Sequence, residues 1–292
     1  MINITPCLWF DNNAEEAVTF YTRLINGSSI TLMEKHLWGE FEGRVRLAEF
    51  SLGGLPVRAF DAGPMFKFTP ATSFFVEVES EEEVDRLWNA LSDGAMVRMD
   101  LQKYDFSEKY GWLVDRHGLD WQIGLSNKTK ISPALLFVGE QFGKAEEAMD
   151  LYTEIFPDSA VASKTLYPEG SGDAEGAVMY GTVSLAGLDL ILMDAEGSHD
   201  YSFSEAFSLS VDCENQSEVD LYWDKLTAGG GKESSCGWLK DRFGVSWQVV
   251  PSVLEKLLGD PDQKKSARVM DALLEMKKLS VADLEAAYNE AD

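Results

Sequence analysis

Two glutamines mark the stretches of this chain best placed to do chemistry. Gln122 lies near the end of Tyr110 to Ile123, YGWLVDRHGLDWQI, and Gln248 lies near the end of Cys236 to Val249, CGWLKDRFGVSWQV. The stretches align without a gap and share Gly, Trp, Leu, Asp, Arg, Gly, Trp and Gln. An amide offers donors and an acceptor but no charge and no titration near neutral pH, so the pattern suits holding a polar group better than acid–base catalysis. Strand alternation puts Trp121 and Gln122 on opposite faces, one in the core and the other toward a concavity. Aromatic side chains beside the glutamines would supply apolar walls. The candidate ligand-binding residues are therefore Gln122, Gln248, Trp9, Phe75, Trp112, Trp238 and His199, and no catalytic residue is assigned.

Other reactive types are placed less tellingly. The histidines do not repeat, since His117 aligns with Phe243 and His199 with Pro64, so a duplicated imidazole site is not expected. His199, in the loop Gly197-Ser198-His199-Asp200-Tyr201, could act as a base or ligand in the second copy only. Asp115-Arg116 and Asp241-Arg242 precede glycine in a turn, where the carboxylate should bind turn amides and the arginine a neighbouring acid. Cys7, Cys213 and Cys236 are odd in number and lack CxxC spacing, which suggests neither a disulfide framework nor a thiolate zinc site. Gly229-Gly230-Gly231-Lys232 follows a helix and reads as a turn, without P-loop spacing.

These residues need a scaffold, and the repeat supplies one. Ala14-Glu15-Glu16-Ala17 returns as Ala145-Glu146-Glu147-Ala148, and Val84-Asp85 with Trp88 as Val219-Asp220 with Trp223. Two domains follow, 1–127 and 133–251, joined by Lys128 to Ser132, with 252–292 as a helical appendage broken at Gly259-Asp260-Pro261 and near Ser280. In the first copy Leu8-Trp9-Phe10 is a strand, and Asn12 or Asn13 should cap a helix bearing Ala14, Ala17, Val18, Tyr21 and Leu24 on one face. Strands are read at Ser28 to Met33, Val45 to Leu52 and Leu55 to Phe60, the last two joined by Gly53-Gly54. After a strand at Phe74 to Val78, Ser80 and Glu83 form a capping box for a helix with Val84, Leu87, Trp88 and Leu91, which Gly94 ends. Strands near Ala95 to Met99, Tyr110 to Val114 and Leu119 to Leu125 complete a second βαβββ module. Each copy is expected to curl its two modules into a half-open barrel with a concave face for a small ligand.

Fifty acidic against 25 basic residues give a net charge of −25, a field that repels phosphate backbones and anionic lipid, so neither nucleic acid nor a membrane is an expected partner. No apolar run is long enough to span a bilayer, and the N-terminus lacks a basic stretch followed by an apolar core; a cytoplasmic location is expected.

The Pro-x-Leu-x-Phe strand, the Ala-Glu-Glu-Ala helix with Phe20-Tyr21, the Cys236 to Gln248 stretch, and the tail residues Gly259 to Asp262 and Arg268 to Lys278 together resemble the PhnB-like branch of the vicinal oxygen chelate superfamily, which includes glyoxalases, bleomycin-resistance proteins and extradiol dioxygenases. The resemblance covers essentially the whole chain. It implies an α+β fold, a tandem pair of glyoxalase/dioxygenase-like domains each of two βαβββ modules, and in the enzymes a divalent metal held by a first-strand His and a last-strand Glu. Here the Glu position holds Gln122 and Gln248, while the first strands offer Cys7 or Trp9 and Ala134 or Leu136. No cofactor is therefore expected, although a glutamine carbonyl remains able to ligate a divalent metal. Some relatives carry a demethylubiquinone methyltransferase label, but no strand here ends in a glycine-rich turn for a nucleotide methyl donor.

Three functions compete at this point. One is a module binding a small polar or aromatic molecule without chemistry. A second is a metal-dependent lyase, isomerase or dioxygenase using Glu49, Glu77, Gln122, His199 or Gln248. The third is a regulatory or scaffold protein engaging a partner through its acidic surface and tail, whose Val269, Leu273, Met276 and Leu284 could instead pack on the second copy. The copies are expected to contact each other as a pseudo-dimer within one monomeric chain.

Overall fold

Alternation of apolar and polar residues in short runs, punctuated by glycine turns, builds sixteen strands and seven α-helices in a computed structural model that describes every residue except Met1, Trp38, Ala291 and Asp292.

The chain runs β1 (Asn3–Phe10), α1 (Ala14–Leu24), β2 (Ser29–Lys35), β3 (Val45–Leu52) and β4 (Leu55–Asp61) through its first module. The second comprises β5 (Thr72–Val78), α2 (Glu81–Leu91), β6 (Met96–Tyr104), β7 (Ser107–Val114) and β8 (Asp120–Leu125). The third has β9 (Lys130–Phe137), α3 (Ala145–Ile155), β10 (Ala160–Leu166), β11 (Val178–Leu185) and β12 (Leu188–Asp194). The fourth has β13 (Phe207–Cys213), α4 (Gln216–Thr227), β14 (Lys232–Glu233), β15 (Trp238–Lys240) and β16 (Ser246–Pro251), and the tail forms α5 (Val253–Leu258), α6 (Gln263–Glu275) and α7 (Val281–Asn289). The stretch expected as a linker is mostly strand, because β9 already begins at Lys130.

The sheets do not coincide with the sequence copies. One eight-stranded sheet runs β14-β15-β16-β13-β1-β4-β3-β2, and the other β10-β11-β12-β9-β5-β8-β7-β6. The first thus joins module one to module four, with Asn3 opposite Asp212 and Cys7 opposite Ser208, and the second joins modules two and three, with Phe75 opposite Ser132. This corrects the expectation that each copy curls on itself. Within a copy the two modules meet instead through a buried latch: the Tyr21 hydroxyl donates to Asp115 at 2.7 Å, and the Tyr152 hydroxyl to Asp241 at 2.6 Å. Sheet, latch, sheet, latch closes the four modules into a ring.

The helix-covered faces of both sheets share one core, bridged where Phe74 and Phe207 meet at 5.6 Å between ring centroids. Trp121 and Trp247 are fully buried there against Tyr21 and Tyr152. Truncating either tryptophan to alanine costs about 3–5 kcal/mol on the scale of large-to-small core substitutions. The N-terminus of α1 is capped differently from expectation: Asn13 makes no side-chain cap bond, and Asp61, at the end of β4, accepts from the Ala14 amide at 3.0 Å and the Val45 amide at 2.9 Å. A remote carboxylate at the positive end of the helix does the work of a local cap. Asp194 repeats this at α3 through the amides of Gly143, Ala145 and Val178. Ser80 does cap α2, but Glu83 turns to Arg86 rather than closing the box.

The tail packs on the second copy. Its helices gather Leu254, Leu257, Val269, Leu273, Leu279 and Leu284 into a satellite core, and the amides of Cys236 and Gly237 donate to the carbonyls of Met276 and Lys277. No helix among the described residues is long and apolar enough to cross a membrane.

Candidate functional site

Each sheet turns one face toward the core and the other outward as a cup. Along β4, Val57, Ala59 and Asp61 point inward, which sends Arg58 and Phe60 into the first cup. On β16 the buried Trp247 and Val249 flank Gln248 in the same way. Register then assembles the floor, placing Cys7 opposite Arg58 and Ser208 and setting Ser210 beside Gln248. The result is a cavity of about 400 Å³, floored by Arg58, Ser210, Gln248 and Cys7 and bounded by Phe60 and by Glu255 of α5. That volume is in the range of small-molecule sites.

Arg58 dominates the electrostatics. It donates to both oxygens of Asp212, at 2.6 and 3.0 Å, and to Glu49 at 3.2 Å. Burial opposes its charge, but the Asp212 bonds more than offset this and raise it above the ordinary arginine value. Arg46 pairs with Glu34 and lies 3.5 Å from Glu255, whose carboxyl burial pushes up against the pull of both arginines. Burial also pushes the Cys7 thiol up to about 11, against the Gln248 amide and Arg58, so at neutral pH it is not a thiolate. At one end Trp9, Phe60 and Trp238 pack edge to face, with Trp9 5.4 Å from Phe60 and 5.9 Å from Trp238.

The equivalent cup of the second sheet is filled by the protein itself. Gln122 is 3% exposed, donates to Ser73 at 2.9 Å and accepts from the Tyr110 hydroxyl at 2.6 Å. Phe75, Tyr104 and Phe106 pack around Tyr110, and Tyr180 closes on Phe75. Trp112 donates to Asp120 at 2.8 Å, and Asp120 in turn pairs with Arg98. Gln248 makes the matching bond to Ser208 at 2.9 Å, but Cys236 replaces Tyr110 in its copy, and the amide borders a cavity instead of a phenol.

The seven residues read from the sequence are therefore divided. Trp9, Trp238 and Gln248 belong to the open cup, and Phe75, Trp112 and Gln122 to the filled one. His199 joins neither group; its contacts, the Glu196 carbonyl and the Tyr201 ring, stay in its own loop. The Asp-Arg turns hold the expected geometry: Asp115 accepts from the His117 and Leu119 amides, Asp241 from those of Phe243 and Val245, Arg116 pairs with Asp93 and Arg242 with Glu147. Both carboxylates also bind Tyr and Trp side chains. Arg58, Arg46, Asp212 and Glu255 were not read as site residues. Arg58 has no repeat to reveal it, because Ile191 occupies its position in the second copy.

A divalent metal does not fit these donors. At the floor of the first cup stand a guanidinium, a protonated thiol, a hydroxyl and an amide, and the acids around it are engaged, Glu49 and Asp212 by Arg58 and Glu255 by Arg46, as is Glu77 by Lys128. Hard divalent ions need free anionic oxygens or imidazoles. Among the described residues no group of three His, Cys, Asp or Glu is placed to hold one.

Comparisons with known proteins agree with this architecture. The family model described as 3-demethylubiquinone-9 3-methyltransferase matches twice, over residues 2–124 and 129–250. Protein YjdN of Escherichia coli (strain K12) is 30% identical over 102 residues, 32% of this chain and 69% of that protein. The solved structure of a Bacillus cereus protein titled as a putative 3-demethylubiquinone-9 3-methyltransferase, PhnB protein, is 38% identical, with a TM-score of 0.41, and spans 42% of this chain and 98% of its own. Glyoxalase I from Zea mays, 11% identical, superimposes with a TM-score of 0.57 over 86% of this chain and 93% of that one, a likeness of fold.

Proposed function

This chain belongs to the 3-demethylubiquinone-9 3-methyltransferase family, as part of the PhnB-like branch of the vicinal oxygen chelate superfamily, and from that premise we propose that it binds a small polar or aromatic molecule in the first cup. The observation that carries this reading is the cavity of about 400 Å³ in which Gln248 and Arg58 face aromatic Phe60. The amide and guanidinium would orient polar groups, and the ring and its neighbours Trp9 and Trp238 would cover an apolar body.

The reading includes neither a resident metal nor methyl transfer. A charged guanidinium bound to Asp212 and Glu49 is itself the cation of the floor, and among the described residues that line the cup no imidazole stands beside a carboxylate for proton transfer. It takes the chain as cytoplasmic, in keeping with three free cysteines, and as a monomer, because each sheet already unites the two copies.

The test is a thermal-shift screen of small aromatic and polar metabolites, with hits repeated on Gln248→Leu and Gln122→Leu. Ligands of the open cup should stabilise wild type and Gln122→Leu but not Gln248→Leu. Hits indifferent to Gln248→Leu, or a screen without hits, would defeat the proposal. Elemental analysis of protein purified without chelators should show well under one metal per chain, and light scattering a mass near 32.5 kDa.

A further inference from the structure

We propose a second binding site, distinct from the cup, for a multiply charged oxyanion such as a phosphate ester or a polycarboxylate: the groove beside α1 where Arg23, Arg44 and Arg116 converge. The groove encloses about 550 Å³, and its arginines come from three separate segments, the last turn of α1, the approach to β3 and the β7–β8 turn. Thr19 and Asn13 add polar groups to the same lining.

The charges there are not mutually consumed. Of the groove's acids, Glu15 is bound by Lys35 at 2.7 Å and both oxygens of Asp61 are taken by backbone amides. Arg116 shares itself between Asp93 at 3.2 Å and Glu16 at 3.8 Å, and its guanidinium lies 4.6 Å from the centre of the Phe20 ring. That stacking holds the guanidinium at the edge of the groove, where its Nε also donates to His117 at 3.3 Å, so the uncommitted positive charge of the groove lies on Arg23 and Arg44. Arg44 rests over Phe41 at 5.1 Å, and among the described residues neither Arg44 nor Arg23 is paired with a carboxylate. Among the described residues, by contrast, Arg46, Arg58, Arg86, Arg98 and Arg242 each hold a carboxylate.

The fold does not require them. The second copy builds the same helix, strand and turn with Glu154 in place of Arg23 and Ala177 in place of Arg44, and keeps only Arg242, which binds Glu147 at 2.9 Å. Guanidinium forks match the paired oxygens of phosphate and carboxylate, which names the ligand class. Because the overall field repels anions, capture must come from direct contact at short range.

Calorimetric titration of the full chain at low salt with pyrophosphate, citrate and inorganic phosphate tests the site. Wild type should bind pyrophosphate or citrate more tightly than inorganic phosphate. Arg23→Ala/Arg44→Ala should weaken that binding by about tenfold or more, equivalent to at least about 1.4 kcal/mol. Lys103→Ala/Lys277→Ala, which removes the same charge from exposed lysines elsewhere, should change it less than about twofold, as should Gln248→Leu. A preference for pyrophosphate assigns a phosphate ester, and one for citrate a polycarboxylate. No binding at millimolar concentration, or equal losses in the arginine and lysine variants, overturns the site while leaving the cup untouched.

Discussion

Arg58 and Asp212 tie the first module to the fourth across the floor of the open cup, and the strength of that tie can be measured. Arg58→Met keeps the length of the side chain but removes the guanidinium, leaving Asp212 and Glu49 facing the cavity unpaired. The pair is bidentate, at 2.6 and 3.0 Å, with side chains 21% and 22% exposed. Breaking a fully buried pair costs about 3–5 kcal/mol and an exposed one about 0–1 kcal/mol, so partial exposure places this one near 2–3 kcal/mol. A double-mutant cycle with Asp212→Asn, read by urea unfolding, should return a coupling energy of about 1.5–3 kcal/mol with unchanged m-values. The cost of Arg58→Met should also shrink from pH 7 to pH 5. Arg58 helps to hold down the Glu255 carboxyl that burial pushes up, so without the cation that acid is raised further in the folded state, and a raised acid contributes stability that is lost as pH rises. A coupling below about 0.5 kcal/mol would refute the reasoning, because the pair would then be an ordinary surface contact.

Three further outcomes follow from the geometry. Tyr21→Phe and Tyr152→Phe each remove a hydroxyl bound to a buried carboxylate, so each should lower unfolding free energy by about 1.5–3 kcal/mol, and the effects should add in the double variant because the latches lie in different copies. Burial pushes Asp241 up to about 6, so its contribution is fullest below about pH 4 and is lost as pH rises through 6; the stability deficit of Asp241→Asn should therefore be about 2 kcal/mol larger at pH 4 than at pH 7, and a deficit flat with pH would contradict it. Cys7 and Cys213, with thiols pushed up to about 11 and about 12, should resist a disulfide reagent at pH 8 in native protein and react on unfolding, whereas prompt labelling would mean that the cup floor opens.

Much of this fold is written in local pattern. Val45–Leu52 is bounded as its alternation and the Gly53-Gly54 turn demand, and the breaks at Asp260-Pro261 and Ser280 fall between the tail helices. Local pattern could not say which modules share a sheet. Pairing β1 with β13 buries the same faces as pairing it with its own copy would, so hydrophobic periodicity is satisfied either way and only tertiary packing decides. The helix caps fell to a similar limit. Asn13 stands at the right place for a local cap, yet Asp61, far along the chain, binds the helix amide; its recurrence as Asp194 before Ala195 was the available signal. Gln248 could be singled out from the sequence because it repeats, whereas Arg58, which lines the same cavity, could not because it does not. Equal spacing likewise suggested two equivalent glutamines, and exchanges around them, Tyr110 for Cys236 and Phe75 for Ser210, separate a packed amide from one bordering a cavity.

The interleaving of the two copies has an evolutionary consequence. When a single-copy chain pairs with itself, every substitution appears in both cups at once, so neither can change without the other. Covalent fusion lifts that constraint: aromatic residues can accumulate in one cup, turning it into structural ballast, while its twin keeps an accessible floor and acquires an arginine of its own. The filled cup then serves as a keel for the open one. By the same logic, severing the connection between β8 and β9 should yield two fragments that reassociate, since each lacks the strands that complete either sheet.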